Sequence, residues 1–373
     1  MNHYPSNVKE KLNSIILSMA EHHWLFSKNP GHDFTRQHLG KLSFYDTMRL
    51  IISMGKGSTN DEIMDYFDLD PDLIPSQSAF CQRRRQISLS AFEYLFSEFS
   101  SSFPSTTDKF KDHCILACDG CHVVYATNSD IIEDYNKPRL IDYKGYNHMH
   151  LNGFVDVISK AFLDVVIQPG QQPDEREALH SMLDHFTPDD PQKYIITADR
   201  GYESYDLLFH CELKNLGYVF RVKSPSSPKS ILSYYASELP DDLEEFDVTI
   251  KRFFTDKATN IMKSQSDVYR YINPSKNTPH FYELLRKNHS HLYFLQFRVV
   301  KIKTAENTYE YLITNLPFSF TLDDIQECYH WRWGIEISFR YLKHAAGLLY
   351  FHSKQPESSS CAGIPAGTSI LSG

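Results

Sequence analysis

The sequence predicts a mixed α/β protein, and three observations carry that reading. The apolar period changes from helical to strand-like near residue 112. Short apolar runs at 114–118, 150–158, 161–167, 194–198 and 218–222 are interleaved with helical stretches at 173–186 and 204–216. A long amphipathic stretch beginning at Leu322 closes the patterned part of the chain.

The 373 residues suffice for two or three domains. Hydrophobic residues at 41% and charged residues at 23% are ordinary for a globular protein. No apolar run is long enough to span a bilayer, so no membrane partner is expected. Met1–Trp24 lacks a secretory pattern, and the 7 cysteines are irregularly spaced, which fits reduced thiols in a cytoplasm. The net charge of −9 argues against a basic coat but leaves room for a local basic cleft.

In chain order, residues 1–110 read as a helical, DNA-contacting domain. Helices are expected over 1–27, from the Ser43 cap to Met54, from Thr59 to Phe67, and from Ser76 to about Phe99. The last of these is basic at Arg83, Arg84 and Arg85, as a small helical DNA-binding unit requires. Residues 111–222 read as the first part of a sheet-bearing core, with 150–158 and 161–167 as a hairpin. Residues 223–315 read as an inserted β-rich subdomain, and 316–357 as the final core helix. Residues 358–373, rich in Ser and Gly, read as a disordered or frameshifted tail.

Chemistry concentrates in three acids. Asp119 and Asp199 each follow an apolar strand and precede a turn-like sequence, the position where sites form on α/β sheets. Taken singly, each is as well explained as a turn or helix cap. Glu336 stands in Tyr329-His-Trp-Arg332-Trp-Gly-Ile-Glu336-Ile-Ser-Phe-Arg340-Tyr-Leu-Lys343. On one helix, Tyr329, Arg332, Glu336, Arg340 and Lys343 share roughly a quarter of the circumference, beside an apolar stripe of Ile335, Phe339 and Leu342. A lone acid in a basic, aromatic row suits a metal ligand flanked by phosphate contacts; ordinary i,i+4 pairing is the plainer reading. Cys118-Asp-Gly-Cys121-His122 matches a haem-attachment spacing, but an apolar strand runs straight into it and no second cysteine pair follows to make a zinc site.

The strand–Asp119-Gly, strand–Asp199-Arg-Gly-Tyr202 and Tyr329-x2-Arg332-x3-Glu336-x6-Lys343 pattern resembles the bacterial insertion-sequence transposases of the insertion-sequence-four family over about 110–350. The resemblance implies an RNase H-like catalytic core with an Asp-Asp-Glu triad. It implies that Asp119, Asp199 and Glu336 bind two Mg²⁺ ions, with Mn²⁺ able to substitute, and that Tyr329, Arg332 and Lys343, with Arg340 beside them, hold phosphates. It further implies cut-and-paste transposition at terminal inverted repeats of double-stranded DNA, by a homodimer bridging two ends, often through a hairpin intermediate. Two departures stand out. Relatives use a tryptophan of the insert to capture a flipped base, whereas the tryptophans here are Trp24, Trp331 and Trp333, leaving Tyr269 or Tyr271 for stacking. The Ser/Gly tail replaces further helical sequence, which implies weakened transposition. The same acids would serve a non-transposing nuclease, and an inactive form would serve as an end-binding regulator.

Overall fold

A computed structural model describes residues 4–35, 42–102, 109–125, 127–137, 145–257, 259–273, 278–344 and 348; the Ser/Gly stretch 358–373 lies outside them. No helix among the described residues is long and apolar enough to cross a membrane.

The described residues of the first part form five α-helices: α1 (Tyr4–Glu21), α2 (Phe44–Ser53), α3 (Thr59–Tyr66), α4 (Gln77–Gln86) and α5 (Leu89–Ser101). Ser43 with Asp46 and Ser58 with Asp61 form the reciprocal bonds of capping boxes at α2 and α3, so polar side chains satisfy the first free N–H groups. The first expected helix is shorter than 1–27: α1 stops at Glu21 and a 3₁₀ turn follows over His23–Phe26. The single helix expected from Ser76 to about Phe99 is two. Ile87 is extended and bridges Ser27, while the Ser88 N–H and hydroxyl both donate to Phe26 O. Bonds to a distant segment thus replace helical ones at that point.

Among the described residues, ten strands form one sheet: β1 (Cys114–Tyr125), β2 (Tyr135–Asn136), β3 (Tyr146–Asp156), β4 (Ala161–Pro169), β5 (Tyr194–Ala198), β6 (Gly217–Val222), β7 (Phe246–Thr255), β8 (Tyr269–Tyr271), β9 (Leu292–Ala305) and β10 (Thr308–Thr314). The order is β2-β3-β1-β5-β6-β10-β9-β7-β8, with β4 also on β3. β1, β5 and β6 run parallel, and β3 lies antiparallel to β1. The strands of the expected insert join this sheet, because β10 pairs antiparallel with β6 and carries β9 and β7 outward.

Alternation of side chains divides the sheet into two faces. Leu116, Cys118, Ile196, Ala198 and Phe220 pack beneath α6 (Glu175–His185), α7 (Tyr205–Leu213) and α9 (Pro279–Lys287). A short helix, α8 (Asn260–Ser264), lies elsewhere in the insert. Ile115, Ala117, Ile195, Val219 and Leu312 pack on the other face with α10 (Leu322–Trp331), α11 (Trp333–His344) and Phe96 of α5. The helix expected to run on from Leu322 is therefore interrupted at Arg332. There Arg332 N–H bonds Tyr329 O and Ile335 N–H bonds Arg332 O, both at 3.0 Å, a tighter i→i−3 turn than an α-helix makes.

Gly153 of β3 sets how closely α11 approaches. A Cβ there would lie 2.8 Å from Phe162 Cε1 and 3.1 Å from Phe339 Cζ, in a packed core. Gly153→Ala should lower stability by about 1–3 kcal/mol through overpacking, read by thermal denaturation; an unchanged midpoint would show that the two rings can yield.

Candidate active site

The sheet register brings two acids together. Parallel pairing of β1 with β5 ends at Cys118 and Ala198, so Asp119 and Asp199 are the next residues on two adjacent strands. The expected turn at Asp119-Gly120 is absent: β1 continues to Tyr125, with Asp119 opposite Gly153 and Gly120 opposite Asn152 on β3. The antiparallel partner supplies a ladder where the parallel one stops. Glycine at 120 reflects close packing, since a Cβ there would strike His150 and come within 2.8 Å of Glu175 Oε1.

Asp199 precedes a 3₁₀ turn over Arg200–Tyr202, but its side chain does not cap that turn. It accepts a hydrogen bond from Tyr329 Oη at 3.2 Å and lies 3.4 Å from Arg221 Nη1, while Arg221 Nη2 lies 3.2 Å from Glu310 Oε1. The third acid, Glu336, comes from the first turn of α11. Between them lies Arg332, only 4% exposed. Its Nη1 is 3.7 Å from Asp119 Oδ2 and its Nη2 is 3.6 Å from Glu336 Oε1. These are ion-pair distances, longer than hydrogen bonds. The guanidinium also lies 5.4 Å from the Tyr329 ring and 5.5 Å from that of Trp333.

The two aspartates differ electrically. Burial raises the pKa of Asp119, and Glu175 and Glu336 add to the rise, against the Gly120 N–H and Arg332. Burial acts the same way on Asp199. There the Arg200 N–H, Arg332, Arg221 and Tyr329 outweigh it, and the pKa falls below the ordinary carboxylate value. Burial, partly offset by Arg332, pushes the Tyr329 phenol up to about 12, so it stays protonated and donates.

The other expected residues are distributed differently. Tyr329 and Arg332 are buried among the acids, Lys343 is half-buried beside the Cys121 thiol, and Arg340 is exposed. The break at Arg332 thus divides the row that a continuous helix would align. On α4, Arg83 and Arg84 lie over the Phe34 and Phe80 rings, while Arg85 is exposed. Tyr269 and Tyr271 lie on β8, six strand steps from β1 or roughly 28 Å along the sheet. Cys118 and Cys121 face opposite sides of β1, so the haem-like spacing brings no shared site.

Residues unremarked in the sequence reading also surround the acids. Glu175 Oε1 is 3.1 Å from His150 Nε2, across β1 from Asp119. At the start of α6, Asp174 takes the cap by accepting from the Arg176 and Glu177 N–H groups, which leaves Glu175 for other contacts. Arg221 was legible only as a polar interruption in the apolar run of β6.

Arg332→Met should remove the compensating charge from Asp119 and Glu336. The folded pKa of Asp119, already raised by burial, would then rise further above that of the unfolded chain, and the folded state would bind more protons than the unfolded one. Stability would fall as pH rises through the pKa of Asp119. Urea denaturation should show a deficit of about 1–3 kcal/mol at neutral pH that shrinks toward the ordinary carboxylate range; a pH-independent deficit would rule out charge compensation.

Residues 110–364 match the family described as the transposase DDE domain. No curated protein matches the chain. Among solved structures, a piggyBac transposase synaptic complex with hairpin DNA, determined by cryo-EM, is similar with a TM-score of 0.46 and 11% identity. The alignment covers 87% of this chain and 62% of that one, so this chain spans less than two thirds of that protein. The family match extends over more than half of the sequence, from the strand that carries Asp119 past the helix that carries Glu336, and on that ground the chain belongs to the transposase DDE domain family.

Proposed function

We propose that the chain is a metal-dependent DNA transposase that cleaves and rejoins strands at the terminal inverted repeats of an insertion sequence. The observation that carries this reading is the gathering of Asp119, Asp199 and Glu336 around one buried guanidinium. These acids offer hard oxygen ligands, and burial, which raises the pKa of Asp119, is a cost to its charged form that a bound cation offsets. The set fits Mg²⁺, with Mn²⁺ as substitute. When bound, such ions supply the Lewis acidity on which in-line phosphoryl transfer draws.

The protein's own part is to hold the acids. The Tyr329 hydroxyl and Arg221 fix Asp199 from two elements, and Arg332 ties Asp119 to Glu336. Buried and engaged, Tyr329 and Arg332 act as positioning residues here. Contact with phosphate falls to Lys343 and the exposed Arg340. Trp331, Trp333 and Tyr341, at 40%, 52% and 46% exposure, offer aromatic surface beside them. The Tyr329–Arg332–Glu336–Lys343 pattern supports a reading of the chain as a transposase of the insertion-sequence-four kind, acting on double-stranded DNA ends with two chains bridging a pair of ends. Arg85 of the helical part adds a further DNA contact.

The test uses linear duplexes carrying the sequences that flank the chain's own gene, with Mg²⁺ or chelator. Glu336→Gln should lower cleavage by at least about 100-fold while leaving end binding in a gel-shift assay nearly unchanged. Retained cleavage would remove Glu336 from the site. Cleavage by the unaltered chain without preference for ends would favour a nuclease, and end binding without cleavage a regulator.

A further inference from the structure

A fourth carboxylate stands at the open edge beyond β5. Main-chain groups alternate in direction along a strand. On β1, Ile115 O faces β3, where it accepts from the Val157 N–H, and Leu116 O faces β5, where it accepts from the Thr197 hydroxyl. Gly120 therefore turns its N–H to the β5 side. Pairing with β5 ends at Cys118 and Ala198, so that N–H has no strand to meet. It donates to Asp119 Oδ1 at 2.9 Å, which brings the Asp119 carboxylate onto the open edge. Glu175, at the start of α6, borders the same edge. Its Oε1 lies 2.8 Å from where a Cβ on Gly120 would be, and its Oε2 lies 3.6 Å from the Cβ position of Gly201, just past the end of β5. We propose that Glu175 is a fourth acidic ligand of the divalent-cation site formed by Asp119, Asp199 and Glu336, an inference that rests on the metal-dependent reading above.

The local structure makes room for this carboxylate and holds it. A Cβ at Gly120 would also strike His150 Nε2, so a larger residue there would displace both Glu175 and the imidazole beside it. Glu175 has no part in capping α6, because Asp174 takes that role. Among the described residues, the side chain it bonds is that of His150, with Nε2 at 3.1 Å from Oε1. The His150 side chain is 4% exposed and fixes Oε1, which leaves Oε2 toward Gly201. Ligating carboxylates are commonly oriented by a hydrogen-bonded partner of this kind.

Charge points the same way. Asp119 and Glu336 share Arg332, and Asp199 has Arg221. Among the described residues no Arg or Lys pairs with Glu175. Its charge nevertheless reaches the site: burial is the main cause of the raised pKa of Asp119, and of the neighbouring acids Glu175 adds more than Glu336 does. A carboxylate placed this near another, with no permanent cation of its own, is a cost that a bound divalent ion offsets.

The test titrates the full chain, without DNA, with Mn²⁺ and reads the free ion by electron paramagnetic resonance. Asp119→Asn is the control for the three-acid site. Glu175→Gln keeps the shape of the side chain, and Glu175→Asp keeps its charge but withdraws it by one methylene. Both should weaken Mn²⁺ binding at least about 10-fold, as Asp119→Asn should. Weakening in Asp119→Asn with unchanged binding in Glu175→Gln would overturn the proposal and leave the three-acid site standing. Weakening in Glu175→Gln with unchanged binding in Glu175→Asp would also overturn it, since charge alone would then suffice. Unchanged binding in Asp119→Asn would remove the three-acid site, and this proposal with it. Circular dichroism checks each fold, and Glu175→Asp alone decides should Glu175→Gln fail to fold.

Discussion

One buried guanidinium sets the conditions for the rest of the site. Withdrawing an arginine from water is costly unless opposite charge surrounds it, and removing either sign afterwards leaves the other stranded. Arg332 meets that condition only because three elements converge on it: β1 with Asp119, the end of β5 with Asp199, and α11 with Glu336. The local chain adapts to the same demand. The i→i−3 turn between α10 and α11 places a polar side chain within an otherwise apolar face, between buried Tyr329 and Ile335. The aspartates share this cation unequally, and their different pKa directions follow from which other donors reach each of them.

Much of this was legible in the sequence where the governing interaction is local. The capping residue Ser43, the hairpin of β3 and β4, and the apolar runs of β5 and β6 depend on neighbours a few residues away. The spacing of Tyr329, Arg332, Glu336 and Lys343 drew attention to the acids before any geometry was known. What was not legible depends on partners far along the chain. Whether Asp119-Gly120 turns or continues is decided by β3, some thirty residues later. The break after Gln86 is decided by Phe26. The hydrogen bond between His180 and His210 joins residues 30 apart, and that between Asp206 and His280 spans 74. No period or motif reports such pairings.

The insert illustrates the same limit. Its composition suggests a module set aside from the core, yet β10 lies directly against β6 and continues the sheet. Its helix α9 packs on α7, with Phe281 against Phe209 at 4.8 Å between ring centres. The insert therefore covers an edge that β6 would otherwise expose, a liability that β-proteins avoid.

A similar continuity joins the helical part to the catalytic sheet. Along α5, Ala91, Phe92, Leu95 and Phe99 belong to the helical core, while Phe96 belongs to the core beneath α11. At the end of the helix, the Ser100 hydroxyl donates to Phe162 O on β4, and the Phe162 ring packs against Gly153, the partner of Asp119. A helix shared between two cores couples their unfolding, since neither can lose it without exposing apolar surface of its own. The change of period near residue 110 is a change in secondary structure that the shared helix bridges. Through α5, loosening of the helical core reaches the strands beside the carboxylates.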